Sequence, residues 1–143
     1  MLRKATIADT ERIFELLKIM HGENGIAPMS PIKVVRRIKS CITDGVVLLF
    51  EVDGKLVGSV GAGMQEFWYS EFAHLSDYWI FVHPAHRKST VVLELIKGLR
   101  EKALQLDVPL AVGVHSPKET ERKDGLFRRL FGAPIGQMFV EGY

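Results

Sequence analysis

Between residues 78 and 114 the spacing of apolar residues changes character twice. Residues 78–82 (YWIFV) are an apolar run that ends at a turn, His83-Pro84. A basic and hydroxyl-bearing segment, 85–90, follows, and then Leu93, Ile96, Leu99, Ala103 and Leu106 recur at helical spacing. Asp107-Val108-Pro109 breaks that helix, and residues 110–114 (LAVGV) form a short, fully apolar strand pattern suited to a sheet covered on both faces. Strand, helix and strand in this order make a crossover unit, so residues 78–114 are predicted to contain a parallel strand pair. The start of the helix leaves backbone N–H groups facing outward, which suits an anion. Ser89 or Thr90 is its expected cap.

The rest of the chain falls into place around this unit. Residues 2–7 suit a first strand, and Ala8-Asp9-Thr10 carries helix-start chemistry with Asp9 or Thr10 as cap. Ile13, Leu16, Leu17 and Met20 give residues 10–23 one apolar face, which ends near Gly22 and Gly25. Ser30-Pro31 restarts a helix whose apolar face is Val34, Val35, Ile38, Cys41 and Ile42. Its other face carries Lys33, Arg36, Arg37 and Lys39, either a solvated surface or an electrostatic wall beside an acidic substrate or partner. From Val46 the period shortens to two. Val46–Val52 reads as a strand, Asp53-Gly54 as a hairpin turn, and residues 56–64 as a return strand. Gly58, Gly61 and Gly63 in that strand point to close backbone approach or a bulge. Residues 65–72 extend it or form an aromatic turn, and residues 73–82 complete a meander. A charged helix over 118–131 and a last strand at 137–140 close the chain. The expected order is β-α-α-β-β-β-α-β-α-β, one mixed α/β sheet with helices on both sides and a single domain over residues 1–143.

Composition bounds the setting. The 143 residues suffice for one domain with a real core. Cys41 is the single cysteine, which fits a reducing, cytoplasmic location, and its place in an apolar stripe marks it as core. There is no run of 18 apolar residues and nothing that resembles a signal peptide. A net charge of +2 is too small to argue for nucleic acid, and the histidines lack metal-ligand spacing.

One residue stands out chemically. By strand alternation Asp77, Trp79 and Phe81 share a face, with Ser76, Tyr78, Ile80 and Val82 on the other. A carboxylate in so aromatic a strand is either near a strand end in water or held by a cleft with a perturbed pKa. In the second setting it can serve as a general base.

The element order, and above all residues 82–92 (VHPAHRKSTVV), resemble the GNAT superfamily of N-acetyltransferases over essentially the whole chain, in a divergent form like that of phage or bacterial members. In that family a V-x-P type turn precedes a loop R/Q-x-x-G-x-G/A that binds the pyrophosphate of acetyl-CoA. Arg87 matches the first position, while Thr90 and Val92 stand where glycines are expected. The resemblance implies acetyl-CoA as co-substrate, held by Phe81, Val82, His83, Arg87, Lys88, Ser89, Thr90, Val91 and Val92, with its pantetheine arm between 81–83 and the strand 110–114. It implies direct attack on the thioester by an amine of a small molecule or protein. Asp77 is then the base, with Glu66 and Glu71 behind it and His74 and His115 weaker candidates. The family's acid, a tyrosine before Gly-Phe, has no counterpart: Arg128 or Phe127 takes its place, and Ser116 is the substitute donor by position. Acceptor choice is expected from 22–30, the basic helix and aromatic walls from 65–74. A homodimer is a further expectation. The alternative to an enzyme is a non-catalytic module of the same fold that binds CoA, a protein partner or another ligand.

Overall fold

The computed structural model describes residues 1–117 and 120–142. Strand β1 (Leu2–Lys4) leads through a 3-10 turn into helices α1 (Thr10–Asn24) and α2 (Pro31–Asp44). Strands β2 (Val46–Val52), β3 (Lys55–Glu66) and β4 (Ala73–Val82) form the meander. Helix α3 (Val91–Leu106), strand β5 (Leu110–Ala111) and helix α4 (Thr120–Phe131) follow. The five strands lie in sequence order, antiparallel from β1 to β4 and parallel between β4 and β5. The predicted mixed sheet and crossover are therefore present. Residues 137–140 form no strand: they are exposed and outside the sheet. Residues 118 and 119 of the last predicted helix lie outside the described residues.

The local chemistry explains most boundaries. Asp53 and Gly54 both take positive φ (51° and 76°), the two-residue turn whose twist matches a hairpin. Ser30 accepts a hydrogen bond from the Lys33 amide (3.3 Å), with Pro31 in the first turn of α2. Asp9 behaves differently from expectation. Its carboxylate turns back to the Thr6 amide (2.8 Å) and to Arg3 (2.7 Å), and so caps the 3-10 turn, not α1. Arg3 also reaches Glu51 (2.7 Å), joining β1, β2 and the entry to α1. These contacts hold the Asp9 carboxyl well below the ordinary carboxylate range.

Two cores sandwich the sheet. Val46, Leu48, Val60, Leu75, Val82, Leu95 and Leu99 pack beneath α3. Ile13, Leu17, Ile38, Cys41, Leu49 and Trp79 pack beneath α1 and α2. The suspected close approaches are real at two glycines. A Cβ at Gly61 would lie 2.1 Å from the Trp79 ring, and one at Gly58 would lie 2.9 Å from Val91 of α3. Trp79 is fixed there by its indole N–H, which donates to Ser59 Oγ (3.1 Å). Ser59 in turn donates to the Leu48 carbonyl (3.1 Å). Burial pushes the Cys41 thiol up to about 11, which leaves it protonated and unreactive at neutral pH.

Candidate active site

Strand β5 is far shorter than the apolar run 110–114 suggests. Only Leu110 and Ala111 pair with β4, opposite Leu75 and Ser76. The chain then leaves the sheet, and the Gly113 amide donates to Asp77 Oδ1 (2.9 Å) instead of to a strand carbonyl. From Asp77 to Val82, β4 thus has no strand partner on this side. A cleft of about 810 Å³ opens at the fork, bounded opposite by the end of α1, the loop after it and the first turns of α2.

Asp77 sits at the fork, but its face differs from that read by alternation. The register of β3 and β4 shifts between Gly61↔Trp79 and Ala62↔Asp77, leaving Tyr78 as an extra, bulged residue. Asp77 and Leu75 thereby join Ile80 and Val82 on the α3 side, while Trp79 faces α1 and α2. Burial is the main reason that the Asp77 carboxyl is pushed up to about 6. The Gly113 amide and the nearby His115 partly offset it. Asp77 is the only carboxylate lining the cleft among the described residues.

Around it stand residues from four elements. Ser116 donates to Asn24 Oδ1 (2.8 Å) and accepts from Lys123 Nζ (2.7 Å), so it ties α4 to the end of α1. Phe127 also lines the cleft, whereas Arg128 pairs outward with Asp124 (2.6 Å). Of the basic residues of α2, Lys33 and Arg37 reach the cleft; Arg36 and Lys39 do not line it. Arg37 donates to the Tyr78 hydroxyl (3.0 Å), and its guanidinium lies 4.2 Å from the centre of that ring. No sequence signal links these two residues, 41 positions apart. The loop 24–30 borders the cleft as expected, but nothing from 65–74 does; its aromatic walls are Tyr78, Trp79 and Phe127. Glu66 and Glu71 are exposed beyond it, and His74 is buried under Phe67. Of the secondary base candidates only His115 lines the cleft.

At the other end of β4 lies the basic loop. The His83 ring accepts from the Ala85 amide (3.2 Å), and its own amide bonds the Val57 carbonyl (2.8 Å). Arg87 folds back: it donates to the Val82 carbonyl (3.2 Å), lies over Phe81 and forms an ion pair with Glu23 of α1. Lys88, Ser89 and Thr90 are exposed ahead of α3. Ser89, not Thr90, takes the amide of Val91, at 3.4 Å. Val91 is buried, and Val92 packs at the edge of the core.

The sequence model of the acetyltransferase (GNAT) family matches residues 11–133, most of the chain. The chain belongs to the GNAT family. No curated protein matches it. Among solved structures it is similar to a ribosomal-protein-alanine N-acetyltransferase from Brucella melitensis biovar Abortus (TM-score 0.73, 20% identity, 100% of this chain and 98% of that one). It is also similar to an acetyltransferase from Trypanosoma brucei (TM-score 0.72, 21% identity, 99% and 98%). A third likeness is to AAC(6')-Iy in complex with the bisubstrate analogue CoA-S-monomethyl-acetylneamine (TM-score 0.77, 14% identity, 100% and 97%). At these identities the likeness is one of fold.

GNAT enzymes use acetyl-CoA, and two features of the chain suit it. The unpaired edge of β4 leaves backbone groups available to amides. The first turn of α3 offers N–H groups behind exposed Lys88 and Ser89. The missing glycines impose no backbone strain: Thr90 has φ −82°, and no residue of 83–92 lies at positive φ.

No helix among the described residues is long and apolar enough to cross a membrane.

Proposed function

We propose that this GNAT protein is an acetyl-CoA-dependent N-acetyltransferase in which Asp77 is the general base. The observation that supports it best is the fork of β4 and β5, where Gly113 holds a half-buried carboxylate titrating near pH 6. A base with that pKa is ionised at neutral pH and still able to accept a proton. Bound acetyl-CoA supplies an activated thioester, so the protein's task is chiefly positioning. The loop 87–92 and the first turn of α3 receive the phosphates, and the open edge of β4 orders the arm. The amine binds in the cleft between the first turns of α2 and the fork. Its proton passes to Asp77 as the new C–N bond replaces the C–S bond. Ser116 also lines the cleft; the Lys123 ammonium donates to its oxygen, and its hydroxyl proton turns from Asn24 to the departing sulfur.

Calorimetry with CoA, and thiol release from acetyl-CoA over an amine panel, test this reading. Saturable CoA binding with amine-dependent thiol release is the expected result. A second reading has an observation of its own: of the two residues that stand for the family's tyrosine, Phe127 lines the cleft without a hydroxyl and Arg128 pairs with Asp124. A binding module would bind CoA and release no thiol with any amine.

A further inference from the structure

The charges of the cleft are unevenly distributed. Three fixed cations line it, Lys33, Arg37 and Lys123, against one carboxylate, Asp77. Lys123 is engaged by Ser116 and Asn24. Lys33 and Arg37 lie one helical turn apart, so their side chains share the face of α2 that borders the cleft. No carboxylate among the described residues pairs with either of them.

Arg37 is not a freely solvated side chain. Its guanidinium stacks 4.2 Å from the centre of the Tyr78 ring and donates to the Tyr78 hydroxyl at 3.0 Å. Both partners are neutral, so they fix its orientation and leave its charge undiminished. Tyr78 is the residue after Asp77, and it bulges from β4 toward α2 because of the register shift. The bulge therefore sets a pre-oriented cation on the wall of the cleft that the candidate base also lines. Arg36 and Lys39 of the same helix are outside the cleft, so the arrangement is not simply a charged helix face.

These cations are poorly placed for the phosphates of CoA. The basic loop begins beyond Val82, four residues along β4 from Tyr78. At the usual rise per residue that is about 13 Å. A polycationic acceptor, for its part, would meet Lys33 and Arg37 with one carboxylate to answer them.

We propose, on the basis of the acetyltransferase reading above, that the acceptor is a primary amine carrying a carboxylate or phosphate, which Arg37 and Lys33 receive while Asp77 takes the amine's proton. A guanidinium held in place suits a planar carboxylate or a phosphate better than a mobile ammonium does.

The test pairs amines that differ only in the anion: α-amino acids against their carboxamides, and amino sugar phosphates against the parent amino sugars. Spermidine and kanamycin serve as polycations. In thiol release with acetyl-CoA, kcat/KM should be at least tenfold higher for the anionic member of one series, mainly through KM. The two series separate carboxylate from phosphate. Arg37→Gln should bring that preference within threefold, mainly by raising KM for the anionic amines, and Lys33→Gln should weaken it in the same direction. Equal or better use of neutral amines or polycations by the wild type would overturn the proposal, as would a preference that survives Arg37→Gln.

A second readout needs no turnover. In a Trp68→Phe background the remaining tryptophan, Trp79, lines the cleft. Its fluorescence should titrate saturably with the anionic amines, and at least tenfold more weakly after Arg37→Gln. No saturable change, or equal binding of the carboxamides and parent amino sugars, would overturn the proposal. CoA calorimetry decides the acetyltransferase reading separately.

Discussion

Replacing Asp77 by asparagine should make the protein more stable at neutral pH while removing most of its activity. The carboxyl of a free aspartate titrates near 3.8, and in the fold it is raised to about 6, chiefly by burial. The folded state thus holds the proton more tightly than the unfolded chain does. Wild-type stability is favoured by protonation, falls as pH rises from about 4 to about 6, and stays at its lower level above that. A difference of about two pKa units corresponds to about 3 kcal/mol as a ceiling. Partial solvent access reduces the expected gain to about 1–2 kcal/mol. Asparagine keeps an acceptor for the Gly113 amide and is never charged, so it removes the penalty without losing that bond. Urea unfolding of both proteins at pH 7.5 and pH 4 reads the effect: the variant is more stable at the higher pH, and the gap closes at the lower one. A gain of that size shifts the melting temperature by roughly 2–8 °C. The same substitution should lower transfer at least about a hundredfold, as expected for loss of a general base. Wild-type kcat/KM should rise with an apparent pKa near 6. A variant no more stable than wild type at pH 7.5 would refute the assignment of burial as the cause of the shift. Unchanged turnover would remove Asp77 from the mechanism.

Other substitutions probe other contacts. Glu23→Gln releases Arg87 from its ion pair and should tighten CoA binding about three- to tenfold by calorimetry, because a bidentate guanidinium is then free for phosphate. Gly61→Ala forces the Trp79 ring aside and should cost about 1–3 kcal/mol in urea unfolding. Asp9→Asn should destabilise by about 2 kcal/mol at pH 7. Because the folded-state pKa of Asp9 is depressed, that difference shrinks as pH falls below the unfolded value near 3.8, which denaturation at pH 3 and 7 will show.

The fold was readable where one physical rule governs a segment. Val46–Val52 and Ala73–Val82 run from turn to turn with no competing pattern, and Asp53-Gly54 dictates its hairpin. The crossover followed from the order of elements alone. What escaped depends on partners distant in the chain. A bulge at Tyr78 leaves no trace in a strand whose residues look alike on both faces, yet it moved Asp77 to the side opposite Trp79. Residues 110–114 look like one strand, but a side-chain acceptor on β4 captures the Gly113 amide after two residues of pairing. Residues 137–140 have strand-like composition, yet they stay exposed and outside the sheet. The candidate base was thus legible as a residue, whereas its surroundings were not.

The brevity of β5 also bears on how this protein can change over generations. Among the described residues, every buried one lies at or before Ala103, and neither core draws on α4. Beyond Val112, the outer wall of the cleft (residues 113–116, with Lys123 and Phe127) therefore contributes to neither core. Substitutions there can reshape what the pocket admits with little threat to folding. A lineage carrying this chain is free to explore new acceptors one wall residue at a time.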